Sequence, residues 1–267
     1  MCILCRKYST PGVKWYFNPD NYKRDLGLTM REAFEELHQK RGVKWLAENA
    51  EKVDTLLRMP LMSTMFSEYY NEKLTEIGTQ VVPLDDVLRI LDLGEDFCLF
   101  PCPCRMMAGI EEYTCFHFGV TKSFYKEVVP DGKNMKELTR EEAKIKFKEW
   151  DKAGYFHLIV PLEIPYLNNI CNCAIPYCWA WRARMVDGLT NMLRKGEYVA
   201  MLNPDLCDGC EKCVARCPFG AIQFDRVKKV PVINIRQCFG CGLCESACKQ
   251  GAIRLVDRQK TPAMDLW

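Results

Sequence analysis

The sequence has no strong excess of charge of one sign: 37 Lys and Arg stand against 35 Asp and Glu, and the formal net charge is +2. This near balance gives no support to nucleic-acid binding, which calls for a basic surface. No run approaches the roughly 18 apolar residues of a membrane span. The richest run, residues 155–167, is interrupted by Pro161, Glu163 and Pro165. We therefore expect no transmembrane segment.

We expect no secretory leader, since Met1 to Lys7 do not place a positively charged region before an apolar one. We expect a cytoplasmic protein, and in that compartment its 17 cysteines favour metal binding over disulfides. A Gly-rich dinucleotide loop and a Walker sequence are both missing. Any two-electron chemistry is therefore expected in a partner subunit.

Eight cysteines form two copies of one pattern towards the end of the sequence. The copies read Cys207-x2-Cys210-x2-Cys213-x3-Cys217 and Cys238-x2-Cys241-x2-Cys244-x3-Cys248. Flanking residues repeat at the same offset of 31 positions, as in Gly209 and Gly240. Three short gaps that recur twice in one register argue against chance. Cysteines at such gaps lie on a tight loop, where their thiolates can converge on one side of a compact metal cluster.

Residues 199–256 resemble, on these motifs, the dicluster domain of bacterial-type ferredoxins, which holds two [4Fe–4S] clusters. In that family the fourth ligand of each cluster comes from the other motif. The resemblance implies one cluster on Cys207, Cys210, Cys213 and Cys248, and a second on Cys238, Cys241, Cys244 and Cys217. It also implies one-electron transfer and a domain that folds only with its metal.

A second group of six cysteines lies upstream in two clumps, namely Cys102, Cys104 and Cys115, and Cys171, Cys173 and Cys178. Residues two apart in an extended backbone face the same way, so each Cys-x-Cys can present both sulfurs to one site. Folded together, the clumps supply enough thiolates for a third metal site. Three hypotheses compete: a third [4Fe–4S] cluster, a structural zinc ion, and a catalytic cluster with an open iron bordered by Arg105 and His117.

Other residues near these clumps have simpler interpretations. Arg105 could clamp a carboxylate or phosphate, although we favour a charge partner for a negatively charged cluster. His117, between two phenylalanines, is expected to be a packed core residue. Cys98 is expected to be a small buried apolar residue. Cys2 and Cys5 form a further Cys-x2-Cys that could contribute ligands at a subunit interface.

The upstream motifs carry a wider resemblance. The runs Phe100-Pro-Cys-Pro-Cys-Arg105, Cys115-Phe-His-Phe-Gly119 and Ile170-Cys-Asn-Cys173 precede the dicluster segment. Over about residues 81–256 the sequence is similar to a family of iron–sulfur oxidoreductases from anaerobes, although its second clump is sparser in cysteine. This resemblance implies electron transfer and an anaerobic or microaerobic source, but no substrate.

The element pattern predicts an α+β protein. We expect a mainly helical region over residues 1–80, a Cys-rich α/β domain with the third metal site over 81–198, and a dicluster ferredoxin-like domain over 199–267. Thr139 and Glu142 form a capping box that predicts a helix ending before Gly154. Residues 176–193 are predicted to form another helix.

We expect this protein to relay single electrons through two or three [4Fe–4S] clusters between redox protein partners. Residues 200–267 carry ten basic against seven acidic side chains, which favours a subunit of a hetero-oligomeric complex over a free acidic carrier. Tunnelling needs no acid–base residue, so no catalytic residue is expected. Two alternatives stay open: a reductase whose Cys102–Cys178 site reduces a small molecule, and a maturation or scaffold protein that carries clusters.

Overall fold

The computed structural model describes residues 3–22, 28–57, 63–75, 78–163 and 165–265. Helices and strands are mixed in it, so the fold is α+β. The helices are α1 (Ile3–Tyr8), α2 (Leu28–Glu35), α3 (Gly42–Leu57), α4 (Ser63–Leu74), α5 (Leu84–Leu93), α6 (Pro103–Met106), α7 (Val120–Val128), α8 (Arg140–Ala153), α9 (Trp179–Met185), α10 (Lys212–Arg216) and α11 (Leu243–Ala247). In the part of the chain that is described, none of these helices has both the length and the apolar character needed to span a bilayer.

Most strands belong to one sheet. The strands are β1 (Thr79–Val82), β2 (Cys98–Pro101), β3 (Tyr113–His117), β4 (Lys136–Glu137), β5 (Phe156–Glu163), β6 (Tyr166–Cys173), β7 (Leu193–Arg194), β8 (Tyr198–Leu202), β9 (Ile222–Asp225), β10 (Val230–Ile233) and β11 (Ile253–Asp257). The sheet has the order β4-β2-β3-β6-β5-β1-β7 and is antiparallel except between β1 and β7. The other four strands form two antiparallel pairs, β8 with β11 and β9 with β10.

The two faces of the seven-stranded sheet differ, because successive side chains of a strand point to opposite sides. One row of paired residues, Leu99, Phe116, Ile170 and Ile159, lies in the apolar core that includes α5 and α8. The neighbouring row is Phe100, Cys115, Cys171 and Leu158, and it points the other way. The sheet therefore has one apolar face and one face that carries thiols, which we call the thiol face.

Helix α8 forms as the capping box predicts. The Thr139 hydroxyl accepts a hydrogen bond from the Glu142 N–H, the Glu142 carboxylate accepts one from the Thr139 N–H, and Gly154 ends the helix in the left-handed conformation. Phe147 and Trp150 are buried against α5. The predicted helix over residues 176–193 is wrong in length, because α9 ends at Met185 and Gly188 turns the chain with a φ of +77° towards β7.

The first described segment joins the core of the sheet. Trp15 and Tyr16 are fully buried there. The Trp15 indole donates a hydrogen bond to Gln80 Oε1 at 2.6 Å, and the Tyr16 hydroxyl donates one to Asp86 Oδ2 at 2.7 Å. These bonds satisfy the two polar groups that the aromatic rings bring inside, so this segment is fastened to β1 and α5.

Close backbone contacts join the second cysteine loop to the chain at the start of β8. The Gly196 N–H donates to Phe239 O at 2.8 Å. A Cβ at Gly240 would lie 2.2 Å from the Tyr198 carbonyl oxygen, and the φ of Gly240 is +72°. Only glycine fits at such a position, since the space is filled by backbone and the conformation disfavours a side chain.

The close approach of Gly240 to Tyr198 predicts that alanine destabilises the protein more at Gly240 than at Gly220. Gly220 also has a positive φ of +64°, yet a Cβ there meets nothing within 4 Å. Gly220→Ala should cost only the conformational strain, about 1–2 kcal/mol. Gly240→Ala should cost about 1–3 kcal/mol more, because the loop must move away from Tyr198. Anaerobic thermal unfolding of both variants measures the difference, and equal melting temperatures would contradict the close approach.

Candidate metal centres

The two C-terminal cysteine loops are built alike. Each loop leads into a short helix, α10 or α11, and the glycines within them, Gly209 and Gly240, have φ values of +71° and +72°. Backbone N–H groups point at sulfur: Gly209 at Cys207 (3.5 Å), Ala221 at Cys217 (3.3 Å) and Ala200 at Cys238 (3.4 Å). Such donors stabilise negative charge on a thiolate and tune a cluster that it binds.

The loops enclose two cavities. The outer cavity has about 330 Å³ of empty space, and its lining includes Cys207, Cys210, Cys213 and Cys248. The inner cavity has about 320 Å³, and its lining includes Cys217, Cys238, Cys241 and Cys244. Each cavity thus takes three cysteines from one motif and one from the other. That grouping is the one the ferredoxin resemblance implies, while cluster binding there stays a prediction.

The chemistry of the cavities fits an iron–sulfur cluster. Burial raises the pKa of the Cys241 thiol well above its usual value and also raises the pKa of Cys213, so these sulfurs become thiolates readily only when a metal replaces the proton. The other residues lining the inner cavity are apolar or glycine, without a carboxylate. Four soft thiolate donors in an apolar cavity suit a cluster.

No three His, Cys, Asp or Glu side chains converge on a single-ion site within the described ranges. This finding covers the eight loop cysteines as well as the upstream ones. A [4Fe–4S] cluster binds its four thiolates through four different irons, so their sulfurs stand further apart than around one ion. The described side chains therefore do not match the geometry of a site for one metal ion, but this observation does not count against a cluster.

The outer and inner cavities differ in exposure and charge. Cys210 is exposed, whereas Cys238, Cys241 and Cys244 are 7–8% exposed. The fully buried Arg258 donates hydrogen bonds to the carbonyl oxygens of Gly196, Tyr198 and Cys238. Its positive charge lies beside the inner cavity and would favour the reduced, more negative state of a cluster there.

The six upstream cysteines lie together on the thiol face. Cys115 of β3 pairs directly with Cys171 of β6. Cys171 and Cys173 are two apart in β6 and their thiols hydrogen-bond each other, as the strand period predicts. Cys173 also contacts Cys178, which caps α9. The second clump and Cys115 therefore form one continuous group of sulfurs.

Cys102 and Cys104 reach the same region by another route. Cys102 is the N-cap residue of α6 and Cys104 lies in that helix, so the prediction of an extended backbone is wrong for this pair. Their thiols nevertheless hydrogen-bond each other, and Cys102 interacts electrostatically with Cys171 and Cys178. The structure thus brings all six candidate ligands of the third site together.

Hydrogen bonds between neighbouring thiols divide this group: they lower the pKa of Cys102, Cys171 and Cys178 and, together with burial, raise the pKa of Cys104, Cys115 and Cys173 well above its usual value. The pKa of Cys102 is lowered to about 5, first by the hydrogen bond from the Cys104 thiol and then by the Arg105 N–H, Thr114 and the Arg105 charge, against the effect of burial. The pKa of Cys171 is lowered to about 6 by hydrogen bonds from Cys115 and Cys173. Half of these thiols therefore favour the thiolate form, and the others become thiolates readily only when a metal, as in a cluster, replaces the proton.

Arg105 lies in the position of a charge partner. Its side chain is 2% exposed, and Nε forms an ion pair with Glu112 at 2.8 Å. Nη1 donates to Thr114 Oγ1 at 2.8 Å and to the Asn172 carbonyl oxygen at 3.1 Å. With Nε and Nη1 held by the protein, the guanidinium supplies positive charge beside Cys102.

His117 is buried among aromatic rings, with 6% exposure, as expected of a core residue. Its Nε2 also lies 3.2 Å from Cys115 Sγ. Asn169, which the sequence analysis missed, donates to Cys115 Sγ at 3.6 Å and lies 2.6 Å from His117 Nε2. Asn169 lies two residues before Cys171, so the strand period places both on the thiol face, while the contact itself depends on the pairing of β6 with β3.

Two further cysteines, Cys98 and Cys5, lie outside the group of six, although Cys98 packs beside Cys115. Cys98 is buried, and burial raises its pKa to about 12, as suits a packed apolar residue. The buried Cys5 thiol donates to Glu197 Oε1 at 3.2 Å. Cys2 lies outside the described residues, so a shared ligand role for Cys2 and Cys5 stays a prediction.

Comparison with known families agrees with the geometry of the C-terminal loops. Residues 206–252 match the family model described as a 4Fe-4S dicluster domain. No curated protein matches the chain. The match spans both cysteine loops and supports an iron–sulfur electron-transfer role for this segment.

The position of Arg105 leads to a prediction. Arg105→Leu should destabilise the protein by about 1–3 kcal/mol, because Thr114 and Asn172 lose buried hydrogen bonds. It should also lower the reduction potential of a cluster on the upstream thiols, because a nearby positive charge is lost. Thermal unfolding and an EPR-monitored redox titration measure the two effects.

Two further variants serve as controls. Arg105→Lys keeps the charge but loses the planar donor geometry, so it should lose stability while largely keeping the potential. Arg140→Leu lies on the α5 and α8 side of the sheet, where Arg140 donates to Leu91 O and Gly94 O, and should leave the potential unchanged. An unaltered potential in Arg105→Leu would contradict the role of charge partner.

Proposed function

We propose that this protein relays single electrons through [4Fe–4S] clusters in the outer and inner cavities and through a third cluster on the upstream cysteines. The observation that carries the proposal is the pair of cavities, each lined by four cysteines drawn from both motifs. These cavities lie in the segment that matches the dicluster family. Interlocked ligand sets hold two clusters in one small domain, where electrons can pass between them.

The protein residues have distinct tasks in this proposal. Cys207, Cys210, Cys213 and Cys248 would hold the outer cluster, and Cys217, Cys238, Cys241 and Cys244 the inner one. Bound clusters supply the one-electron couple. The N–H groups of Ala200, Gly209 and Ala221 stabilise charge on sulfur. Phe219 and Phe239 line the inner cavity and limit access of water.

The outer cavity is the proposed contact point for a redox protein partner. Cys210 is exposed there, and the apolar side chains of Leu206 and Val227 in the same domain are also exposed, the latter to 92%. A partner that covered this region would bring its own redox centre close to the outer ligands. Together with the resemblance to anaerobe oxidoreductases, this supports a cytoplasmic subunit of an anaerobic redox complex.

A second candidate function is a reductase centred on the upstream thiols. An open cleft with about 910 Å³ of empty space lies beside α3, and its lining includes Cys104 and Cys178. Asp54 and Arg182, which form an ion pair, line the same cleft. A small molecule in this cleft would contact two of the six candidate ligands directly.

Metal analysis of anaerobically purified protein tests the proposal. We expect about twelve irons per chain, four for each of three cubane clusters. About eight irons and one zinc would instead indicate a two-cluster carrier with a structural site. A colourless, iron-free protein would contradict electron transfer altogether. A change in the EPR signal of the upstream cluster on adding a small molecule would favour the reductase.

Cysteine variants show which side chains hold the irons of the third site. Replacing Cys171 and Cys173 together with alanine should remove about four irons and leave the dicluster signals, because the two sulfurs lie at the centre of the upstream group. Cys98→Ala is the matched control, since Cys98 packs beside Cys115 but is not one of the six candidate ligands, and it should keep every iron. Equal iron content in the two variants would contradict the third site.

A further inference from the structure

The upstream thiols and the inner cavity share one apolar cluster of side chains. Phe156 of β5 pairs across the sheet with Cys173. Its ring meets Phe219 edge-on at 5.3 Å, and Phe219 stacks on Phe239 at 4.1 Å with an angle of 13° between the rings. Phe219 and Phe239 line the inner cavity. A continuous row of aromatic rings thus fills the space between the two groups of sulfurs.

Trp181 links the same two groups by hydrogen bonds. Its backbone N–H donates to Cys178 Sγ at 3.4 Å. Its indole Nε1–H donates to the Pro218 carbonyl oxygen at 3.1 Å. Pro218 is covalently attached to Cys217, which lines the inner cavity. A single residue therefore spans the distance from an upstream sulfur to the chain that carries an inner one.

Among the described residues, the outer cavity has no comparable link to the upstream group. Cys173 and Cys178 pack in one apolar cluster with Cys241 and Cys217 of the inner cavity. Cys213 and Cys248 of the outer cavity pack in a separate cluster with the C-terminal strands, and Cys217 borders both clusters. The inner cavity therefore lies between the upstream thiols and the outer cavity.

We propose that Trp181 couples the upstream thiol site electronically to the inner cavity, so that electrons pass in the order upstream site, inner cavity, outer cavity, or the reverse. This inference rests on the proposed function. Each step moves one electron: the donor centre is oxidised by one unit, the acceptor is reduced by one unit, and no bond or proton changes place. A redox protein docked at the outer cavity supplies or removes the electron.

The experiment measures electron transfer within the intact, cluster-loaded protein. After flash photoreduction under anaerobic conditions, absorbance and freeze-quench EPR follow equilibration between the upstream and C-terminal centres. Trp181→Phe keeps an aromatic ring but removes the indole donor to Pro218, so equilibration should slow severalfold at unchanged iron content and reduction potentials. A variant that merely loosened packing would alter the potentials or lose iron.

Trp179→Phe is the matched control. Trp179 lies in the same helix but lines the open cleft beside α3, so this variant should equilibrate as fast as the unaltered protein. Equal rates in Trp181→Phe and Trp179→Phe, with all clusters present, would overturn the proposal. Unaltered protein that holds eight irons and lacks a redox-active upstream centre would also overturn it, while leaving electron transfer through the C-terminal clusters in place.

A measurement on the unaltered protein covers the case in which Trp181→Phe loses its clusters. Reduction of the C-terminal clusters should broaden the EPR signal of the upstream centre, because paramagnetic centres joined by such a contact interact. An upstream signal that is indifferent to their redox state would overturn the coupling. An iron-free protein would instead show that the proposed function itself fails.

Discussion

The burial of many thiols in apolar surroundings is the constraint on which the rest of this structure depends. Burial raises the pKa of Cys241 and Cys213, so without metal these thiols would stay neutral. Each cavity is lined by one cysteine from the other motif, so metal in either cavity would hold both halves of the C-terminal domain together. We therefore expect folding and metal binding to be coupled.

Nearby positive charge stabilises the negative charge of thiolates. One buried arginine lies beside the upstream thiols, and another lies beside the inner cavity. Arg105 is 2% exposed and Arg258 fully buried. Arg258 donates to three backbone carbonyl oxygens. Those acceptors are neutral, and the buried Glu197 carboxylate also interacts with Arg258, so the positive charge is shared between that carboxylate and the sulfur of Cys238. At Arg105 the partly exposed Glu112 takes up part of that charge.

Features that depend on local spacing could be predicted from the sequence, whereas contacts between segments far apart in the sequence could not. Short-range periodicity or pattern predicts the grouping of the eight C-terminal cysteines, helix α8 with its capping box, and the shared face of Cys171 and Cys173. The helical start at Cys102 was missed, since Pro103 suits the first turn of a helix as well as a strand. The contact of Asn169 with Cys115 and His117 depends on strand pairing across more than fifty residues, which no local pattern encodes.

An electron relay needs a surface terminus at each end of its path. The outer cavity provides one, because Cys210 is exposed there, whereas the cysteines of the inner cavity from the second motif are at most 8% exposed. If the chain held only the two C-terminal clusters, the inner cluster would store charge but would pass it back through the outer one. A cluster on the upstream thiols would remove this limit, because Cys104 is partly exposed and lines an open cleft. In the proposed relay, contact of the upstream group with the inner cavity would give the path a second exit, where a protein or a small molecule could exchange electrons.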